Sequence, residues 1–331
     1  MLNETSQLLS DTVEKIFSDH VTKKCIINSE KGEWPKSLWT EVVDNGLNLV
    51  LVPEELGGVG GTWLEAGILF KAIGKYQAPI PLAENIVAGY LLSLGGISLP
   101  EKSIVTILGG ELTLKDNKIS GISRRTPFGS SATHAVAIIN DKSSPKVILT
   151  TIPQDSLSDD KNLALESRSN IEFLDHAVMN YSDISFTSEY IFKIGALMRS
   201  CQIAGGLESL LVQSVRYANE RVQFGRPIAK FQAIQQELAV LATHVAASGV
   251  AADYAAMSMD DGCEDLAIAS AKSRVDDAVS ICASIAHQVH GAIGFTYEHG
   301  LHFSTRRLWS WRAEYGSGSF WAKSLGEKAV A

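Results

Sequence analysis

The stretch ERVQFGRPIAKFQAIQQELA, residues 220–239, joins two helical patterns through a Phe-Gly-Arg-Pro break. We predict that the first helix ends at Gly225 as its C-terminal cap, that the following proline prevents continuation, and that the second helix begins near Ala229. The break separates Arg221 from Gln232. A cation is favoured in the last turn of a helix by about 0.3–1 kcal/mol, so Arg221 has a plain structural explanation, and Gln232 could be a solvated helix residue.

Apolar residues recur at helical spacing on both sides of this break, from about residue 191 to the C-terminus. Two stripes with this spacing predict the buried faces of two helices. Asp-Asp-Gly at 260–262 lies between the stripes and is a turn signal that would reverse two antiparallel helices. The first stripe is Phe231, Ile234, Leu238, Leu241 and Val245, and the second is Ile268, Ala271, Val275, Cys282, Ile285 and Val289.

The rest of the chain divides into two further patterns. Residues 1–101 are helical in periodicity, whereas 102–190 contain short β-branched runs separated by turn residues. We therefore predict an α+β chain with an N-terminal helical domain (1–101), a small antiparallel β domain (102–190) and a C-terminal four-helix bundle (191–331).

The composition and charge of the chain argue against several classes of binding partner. The 331 residues carry a formal charge of −8, with 45% hydrophobic and 20% charged residues. Nucleic-acid and anionic membrane surfaces require a basic protein face, so neither partner is expected. No apolar run reaches the 18 residues of a membrane span. The four dispersed cysteines predict reduced thiols and a cytoplasmic protein, and they are Cys25, Cys201, Cys263 and Cys282.

Three ordered motifs resemble those of the acyl-CoA dehydrogenase family. PEELGGVGG at 53–61 is similar to the family's N-terminal Pro-Glu-Glu-x-Gly-Gly turn. Arg221-x-x-Phe224-Gly, followed by Phe-Gln and Leu-Ala, resembles its flavin-contacting corner. QVHGAIGF, which begins at Gln288, resembles its Gln-x-x-Gly-Gly-x-Gly-Phe segment. The order helical, β, helical is also that of the family.

This resemblance implies an FAD site shared between subunits. Arg221 would contact the cofactor diphosphate, which suits the donor fork of a guanidinium. Phe224 would pack beside the cofactor and Gln232 would hydrogen-bond to it. The adenosine end would be lined by Gln288, Val289, His290, Gly291 and Ala292, where Ala292 replaces a family glycine.

The catalytic carboxylate of the family is absent from its usual positions. Family members remove an α-proton from an acyl-CoA thioester while a hydride leaves for the flavin. Tyr315 stands where the C-terminal glutamate is expected, and Glu314 lies one residue earlier, about 100° away around a helix. The alternative base position falls near Gly195 and Ala196, which carry no carboxylate. The sequence therefore predicts no catalytic base, with Glu314 as the weak candidate.

The β domain also lacks the family's Thr-Glu-Pro loop, which grips the flavin ring. The missing features serve a chain's own flavin, whereas the retained ones serve a neighbour's. The resemblance thus implies the short subunit of a heteromeric α2β2 acyl-CoA dehydrogenase, completed by a longer homologous chain and acting on a bulky thioester such as a steroid side-chain CoA. Two alternatives stay open: a self-sufficient homomeric dehydrogenase that uses Glu314, and a flavin-free scaffold that keeps the fold.

No metal site is predicted. His287 and His290 are three residues apart, as a helical ligand pair can be, but no HExxH motif or cysteine pair accompanies them. We interpret them as packing or hydrogen-bonding histidines.

Overall fold

A computed structural model describes residues 4–141, 143–262 and 264–330, so Cys263 lies outside the described residues. The chain forms two compact units. Within the described residues, the helical unit comprises the chain up to Ser10, Gly67–Ala78 and the segment from Gly195 onward, and the mixed unit comprises Asp11–Ala66 and Pro79–Ile194. The predicted domain boundaries at 101 and 190 remain predictions, although all strands of the large sheet fall between them.

The N-terminal third is helical, as predicted. Its helices are α1 (Glu4–His20), α2 (Lys23–Glu30), α3 (Lys36–Asp44), α4 (Trp63–Tyr76) and α5 (Leu82–Ser93). The PEELGGVGG segment forms a tight turn in which a Cβ atom at Gly58 would overlap the carbonyl oxygen of Val52. Glycine is therefore required there by the close approach of two backbone segments.

In chain order, a seven-stranded sheet follows α5 and precedes the C-terminal helices. Its strands are β1 (Val105–Ile107), β2 (Glu111–Lys115), β3 (Lys118–Pro127), β4 (His134–Asn140), β5 (Pro145–Thr151), β6 (Leu157–Ser158) and β7 (Arg168–Asp183). The strand order is β1-β4-β5-β7-β3-β2, and β6 pairs with β7. The pairs are antiparallel except β1 with β4, which is parallel.

The sheet is therefore mixed, and the prediction of an antiparallel β domain was wrong in this respect. The cause is the connection between β1 and β4, which contains the whole β2–β3 hairpin and returns the chain in the same direction. Parallel pairing requires a long crossover of this kind, whereas a tight turn would give an antiparallel pair. Runs of β-branched residues do not distinguish the two.

In the described part of the chain after the sheet, the α-helices are α6 (Glu189–Glu220), α7 (Gln232–Asp260), α8 (Glu264–His290), α9 (Leu301–Ala313) and α10 (Gly318–Ala329). Side chains of α6, α7, α8 and α9 share one apolar core, as a four-helix arrangement requires, and α10 packs against α8. All six residues of the α8 stripe are buried, whereas the α7 stripe becomes fully buried only from Leu241 onward. The Asp-Asp-Gly turn lies between α7 and α8, with Gly262 in the left-handed region.

The break at residues 221–231 differs from the predicted helix cap. Helix α6 ends at Glu220, five residues before Gly225, and α7 begins at Gln232 instead of Ala229. Between them lies a short hairpin of β8 (Val222–Gln223) and β9 (Arg226–Pro227). Phe224 and Gly225 form its tip with φ values of 52° and 79°. Positive φ at both central residues characterises the two-residue turn that joins antiparallel strands, so the glycine serves a hairpin and not a helix end.

Two helical segments, Gln232–Asp260 and Glu264–Phe295, are long and apolar enough to cross a membrane by length and composition. The sequence analysis did not identify these two segments because it considered only uninterrupted apolar runs. Both segments contribute buried side chains to the core of the helical unit, and core helices of soluble proteins commonly reach such hydropathy.

Candidate functional site

Arg221, Phe224 and Gln232 lie together around the hairpin, and we call these three residues the hairpin surface. All three are exposed, and the Phe224 side chain is 92% accessible. The ring of Phe224 meets that of Phe231 edge-on, with centroids 6.1 Å apart. The Arg221 guanidinium and the Gln232 amide make no side-chain hydrogen bond or ion pair with the described part of the chain. The hairpin surface thus presents a cation, an amide and an aromatic ring to the outside.

The backbone N–H and carbonyl groups of Arg221 are both hydrogen-bonded, whereas its side chain has no partner among the described residues. Its N–H donates to the Tyr217 carbonyl oxygen at 2.8 Å, and its own carbonyl oxygen accepts from the Ile228 N–H at 2.8 Å. The ring of Tyr217 stacks on that of His290 with centroids 4.6 Å apart. The root of the hairpin therefore adjoins the C-terminal end of α8, and two of the motifs identified in the sequence meet in the fold.

The five predicted adenosine-lining residues divide into two groups. Gln288, Gly291 and Ala292 are exposed, whereas Val289 and His290 are buried with 5% and 3% accessibility. Gly291 follows the last residue of α8 with a φ of 60°, a position that favours glycine. The structure therefore brings three of the five residues to the surface and directs the other two into the core.

The buried His290 has a structural environment. Its Nδ1–H donates to the Ala286 carbonyl oxygen at 2.7 Å. Burial lowers the pKa of His290 to about 4, because desolvation disfavours the imidazolium. His290 is thus a neutral packing residue at neutral pH, in keeping with the sequence interpretation of this histidine.

A groove of about 440 Å³ opens beside the exposed end of α8. Gln288 and Gly291 line it together with the rings of His287, Phe295 and Trp309. His287 and Phe295 stack with centroids 4.2 Å apart and planes 19° from parallel. His287 Nε2 also hydrogen-bonds with Thr305 at 3.1 Å, and burial lowers the pKa of this imidazole. The groove offers flat apolar faces and one free amide, which suits a planar heteroaromatic group.

The two positions expected for a catalytic base meet at another place, in contact with each other. A Cβ atom added at Gly195 would overlap three ring carbons of Tyr315, with Cγ only 2.5 Å away. The Tyr315 ring therefore lies directly on the backbone of α6. Tyr315 itself has a φ of 54°, and its carbonyl oxygen accepts from the Trp321 indole N–H at 2.9 Å. We call Gly195, Arg199, Glu314 and Tyr315 the closed corner.

Glu314 in the closed corner is engaged in an ion pair. Its Oε2 accepts from Nε of Arg199 at 2.7 Å, and the two side chains are 17% and 2% accessible. Arg199 also donates to the Gln202 side-chain oxygen. The carboxylate thus neutralises a buried cation, which is a strong structural requirement.

Further charges lie close to this pair. Lys272 is fully buried and donates to the Arg312 carbonyl oxygen at 2.7 Å. Burial lowers its pKa to about 8, and the carboxylates of Asp276 and Glu314 oppose this shift. Arg312 pairs with Asp276 at 3.0 Å and lies over the Trp309 ring at 4.9 Å. Helix α9 therefore contributes Trp309 to the lining of the groove, and the ring of Trp309 packs against the ion-paired Arg312.

Sequence reasoning missed several residues of this region. It did not identify Arg199, nor the aromatic walls supplied by Phe295 and Trp309. One signal was present, since Gly195 lies inside a helix, where glycine costs about 1 kcal/mol relative to alanine. A glycine kept at such a position indicates a close approach of another group. Among the described residues, no three His, Cys, Asp or Glu side chains are grouped so that they could hold a metal ion.

Comparison with known protein families gives two matches that together span most of the chain. Residues 3–111 match the sequence model described as "Acyl-CoA dehydrogenase, N-terminal domain". Residues 187–317 match "Acyl-CoA dehydrogenase, C-terminal domain". The hairpin surface and the closed corner both lie in the second match.

Individual proteins show the same likeness. Acyl-CoA dehydrogenase IpdE2 of Mycobacterium tuberculosis is 28% identical over 316 residues, covering 92% of this chain and 91% of its own length. The ChsE4-ChsE5 complex of M. tuberculosis contains a chain of the same fold, with a TM-score of 0.89, 21% identity and coverage of 100% and 98%. A chain of the Tcur3481-Tcur3483 steroid ACAD aligns with a TM-score of 0.89, 22% identity and 99% coverage of both chains.

Proposed function

Since this chain belongs to the acyl-CoA dehydrogenase family of oxidoreductases, we propose that it is the subunit of a heteromeric, FAD-dependent acyl-CoA dehydrogenase that lends flavin contacts to a homologous partner. The partner carries the catalytic base and holds most of the flavin. The family resemblance drawn from the three sequence motifs is confirmed, as is the predicted fold class apart from the parallel strand pair.

One observation carries the proposal. Tyr315 lies against Gly195, so the two positions from which a family base would act are occupied by a ring and by bare backbone. A carboxylate side chain at residue 195 would collide with the ring, and tyrosine, with a reference pKa near ~10, is a weak base at neutral pH. Within this chain the closed corner has no group suited to removing the α-proton.

The residues at the hairpin surface fit a cofactor held by another chain. Arg221 is an exposed guanidinium without an ion-pair partner in the described residues, and its donor fork matches two oxygens of a diphosphate. Phe224 is almost fully exposed, so its ring is available to pack against a second surface. Gln232 adds an amide with free hydrogen-bonding capacity.

The groove beside α8 fits the adenosine end of the same cofactor. Its aromatic walls suit a purine, and the Gln288 amide is free to hydrogen-bond with a polar edge. In the family, bound FAD supplies the acceptor for the hydride that leaves the acyl β-carbon. The contribution of this chain is to bind and orient that cofactor and to shield it from water.

The alternative in which Glu314 acts as base in a homomeric enzyme receives no support from the geometry. Glu314 is the partner of the buried Arg199, and a base that accepts a proton would leave this guanidinium uncompensated. A flavin-free scaffold would also lack a catalytic base, but it gives no reason for Arg221 and Gln232 to be exposed without a side-chain partner among the described residues.

We further propose a bulky acyl-CoA thioester, such as a steroid side-chain CoA, as the substrate of the complex. The family likeness and the resemblance to heteromeric complexes support this, and one of the aligned structures is a steroid acyl-CoA dehydrogenase by its description. We propose an α2β2 assembly and a cytoplasmic location for the protein, in keeping with a family of soluble enzymes.

Bound flavin per chain tests the proposal. The chain is purified alone and after co-expression with a candidate homologous partner chain, and flavin content and thioester-dependent flavin bleaching are measured. We expect a colourless, inactive chain alone and a yellow, active complex with about one flavin for each pair of chains, as half the usual family occupancy requires. A yellow, active protein formed from this chain alone would refute the proposal, and a complex without flavin would favour the scaffold.

A further inference from the structure

The hairpin between α6 and α7 lies in a basic segment of an acidic chain. Residues 221–236 contain Arg221, Arg226 and Lys230 and no acidic residue, although the whole chain carries a formal charge of −8. All three cationic residues are exposed. A cluster of like charges is unfavourable by itself and attracts an anion. The family resemblance gives a role to Arg221 alone among them.

The strand register places Arg221 and Arg226 on the same face of the hairpin. Gln223 pairs with Arg226, and the Arg221 carbonyl oxygen accepts from the Ile228 N–H at 2.8 Å. Because side chains alternate along a strand and directly opposite residues share a face, Arg221, Gln223 and Arg226 project to one side. Arg221 and Arg226 are diagonal neighbours across the two strands, and such residues lie about 7–8 Å apart. Their guanidinium groups can therefore converge on one diphosphate.

The Arg226 guanidinium stacks on an aromatic ring and keeps its donors free. Its Cζ lies over the Phe231 ring, 4.3 Å from the centroid, and Phe231 in turn meets Phe224 edge-on. Arg226 makes no ion pair or side-chain hydrogen bond with the part of the chain that the structure describes. A guanidinium stacked on a ring uses its flat face, so the N–H groups at its edge stay available for phosphate oxygens. The stack also restricts the side chain before a ligand binds, which lowers the entropic cost of binding.

We infer that Arg226 is a second diphosphate-binding residue, and that Arg221 and Arg226 together hold the diphosphate of FAD. The inference rests on the flavin role proposed above and adds a binding residue to it. A guanidinium donates two parallel hydrogen bonds to phosphate oxygens, and two arginines offset the charges of the two phosphate groups. A lysine at residue 226 would keep the charge but lose both the donor fork and the stack on Phe231. Acyl-CoA also contains a diphosphate, so FAD and coenzyme A are tested separately.

Flavin binding to the apo-complex tests the inference. The chain is co-expressed with a candidate homologous partner chain, the flavin is removed, and the dissociation constant of FAD is measured by fluorescence titration. We expect Arg226→Gln to raise this constant about 10–100-fold, because a hydrogen bond to a charged group is lost. Arg226→Lys should be impaired nearly as much. Lys230→Gln removes an exposed cation of the same segment and should change the constant by less than about threefold, because it contributes only a screened charge.

A double-mutant cycle tests the stack on Phe231. Phe231→Leu keeps an apolar side chain but removes the ring beneath the guanidinium. It should weaken FAD binding more when Arg226 is present than in the Arg226→Gln chain, because only the first chain has a stack to lose. Chemical denaturation checks that each variant is folded. Equal losses in the two backgrounds would show that Phe231 does not position Arg226 for the cofactor.

Three further results would overturn the inference. One is an Arg226→Gln complex that binds FAD as tightly as the unaltered complex while Arg221→Ala weakens binding, which would leave the proposed flavin role intact. Another is equal weakening by Lys230→Gln, which would reduce the cluster to a general positive field. The third is an Arg226→Gln complex with weaker binding of coenzyme A and unchanged binding of FAD, which would assign Arg226 to the thioester. An unaltered complex that takes up no FAD would instead refute the proposed function, and the inference with it.

Discussion

Helix α6 has a different kind of site at each end. Near its start, Gly195 is covered by the Tyr315 ring, and Arg199 is buried and paired with Glu314. Just beyond its other end, Arg221 is exposed and has no partner among the described residues. Gly195 and Glu220 are 25 helical residues apart, or about 38 Å. One helix therefore connects a closed corner to an open surface.

The difference between the two arginines indicates which end is available for binding. A buried cation with a carboxylate partner stabilises the fold only as part of its pair. When one partner is removed, the other charge stays buried without compensation, and this destabilises the fold. An exposed cation without a partner adds little to stability, so its value lies in what it can bind. Substitutions at the closed corner should therefore change stability, and those at the hairpin surface should change cofactor affinity.

The largest effect is expected from Glu314→Ala. Removal of this carboxylate leaves Arg199 buried without its ion-pair partner, and we expect the free energy of unfolding to fall by about 3 kcal/mol. Chemical denaturation measures this loss. Glu327→Ala is the control, because Glu327 pairs with Lys323 on the exposed surface at 3.7 Å and should contribute little. A folded Glu314→Ala complex that binds flavin but has lost all activity would revive Glu314 as the base.

Arg221→Ala should weaken flavin binding with little change in stability. Loss of a charge-assisted hydrogen bond to a diphosphate corresponds to about 1.5–3 kcal/mol, or roughly 10–100-fold in the dissociation constant. Flavin released per chain from the purified complex measures it. Arg216→Ala removes another exposed guanidinium, one that already pairs with Glu220, and the variant should retain flavin. Full occupancy in the Arg221→Ala complex would contradict the assigned role.

Gly195→Ala tests whether the Tyr315 ring closes the corner. The added methyl group overlaps the ring, and we expect a loss of about 1–3 kcal/mol in the free energy of unfolding. With Tyr315→Ala already present, the same change should instead stabilise by up to about 1 kcal/mol, because alanine is the better helix former.

Gly249→Ala provides the control for this cycle. Gly249 lies inside α7 with no atom within 4 Å of an added Cβ, so the substitution should stabilise the chain in either background. Equal effects of Gly195→Ala with and without Tyr315 would show that the ring does not fill the space above α6 in solution.

The smallest effect is expected from Gln232→Ala. A neutral hydrogen bond contributes about 0.5–1.5 kcal/mol, so flavin affinity should fall roughly 2–10-fold while stability stays within about 0.5 kcal/mol. Gln236→Ala, one turn further along the exposed face of α7, should have no effect on flavin. If both variants behave alike, Gln232 is a solvated helix residue, as the sequence pattern alone allowed.

Periodicity predicted the helices well because burial enforces it. Every residue of the α8 stripe is buried, and the Asp-Asp-Gly signal lies at the turn into α8. The parallel pairing of β1 with β4 could not be read in the same way, since strand direction depends on the path of the chain between Val105 and His134. The hairpin was missed because Gly225 after a helical pattern has two explanations, and Phe at the preceding position lacks the Asn or Asp signature of such turns.

The predicted site residues lie together where a motif fixes them in one local segment. Arg221, Phe224 and Gln232 are all exposed around one hairpin, as a binding role requires. The motif at 288–292 did not predict which of its residues are exposed. Helical geometry decides this, and it buries Val289 and His290 while it leaves Gln288 on the surface. The contact between Gly195 and Tyr315 joins residues 120 positions apart, and no local pattern encodes it.

The hairpin tip also has a thermodynamic consequence. Phe224 and Gly225 hold positive φ values, and ladder pairs on both sides fix the turn. The chain therefore loses the conformational entropy of this segment when it folds, before any ligand arrives. A flexible loop would lose it on association and weaken the affinity accordingly. If the hairpin tip binds another surface as proposed, its backbone would need little further ordering on association.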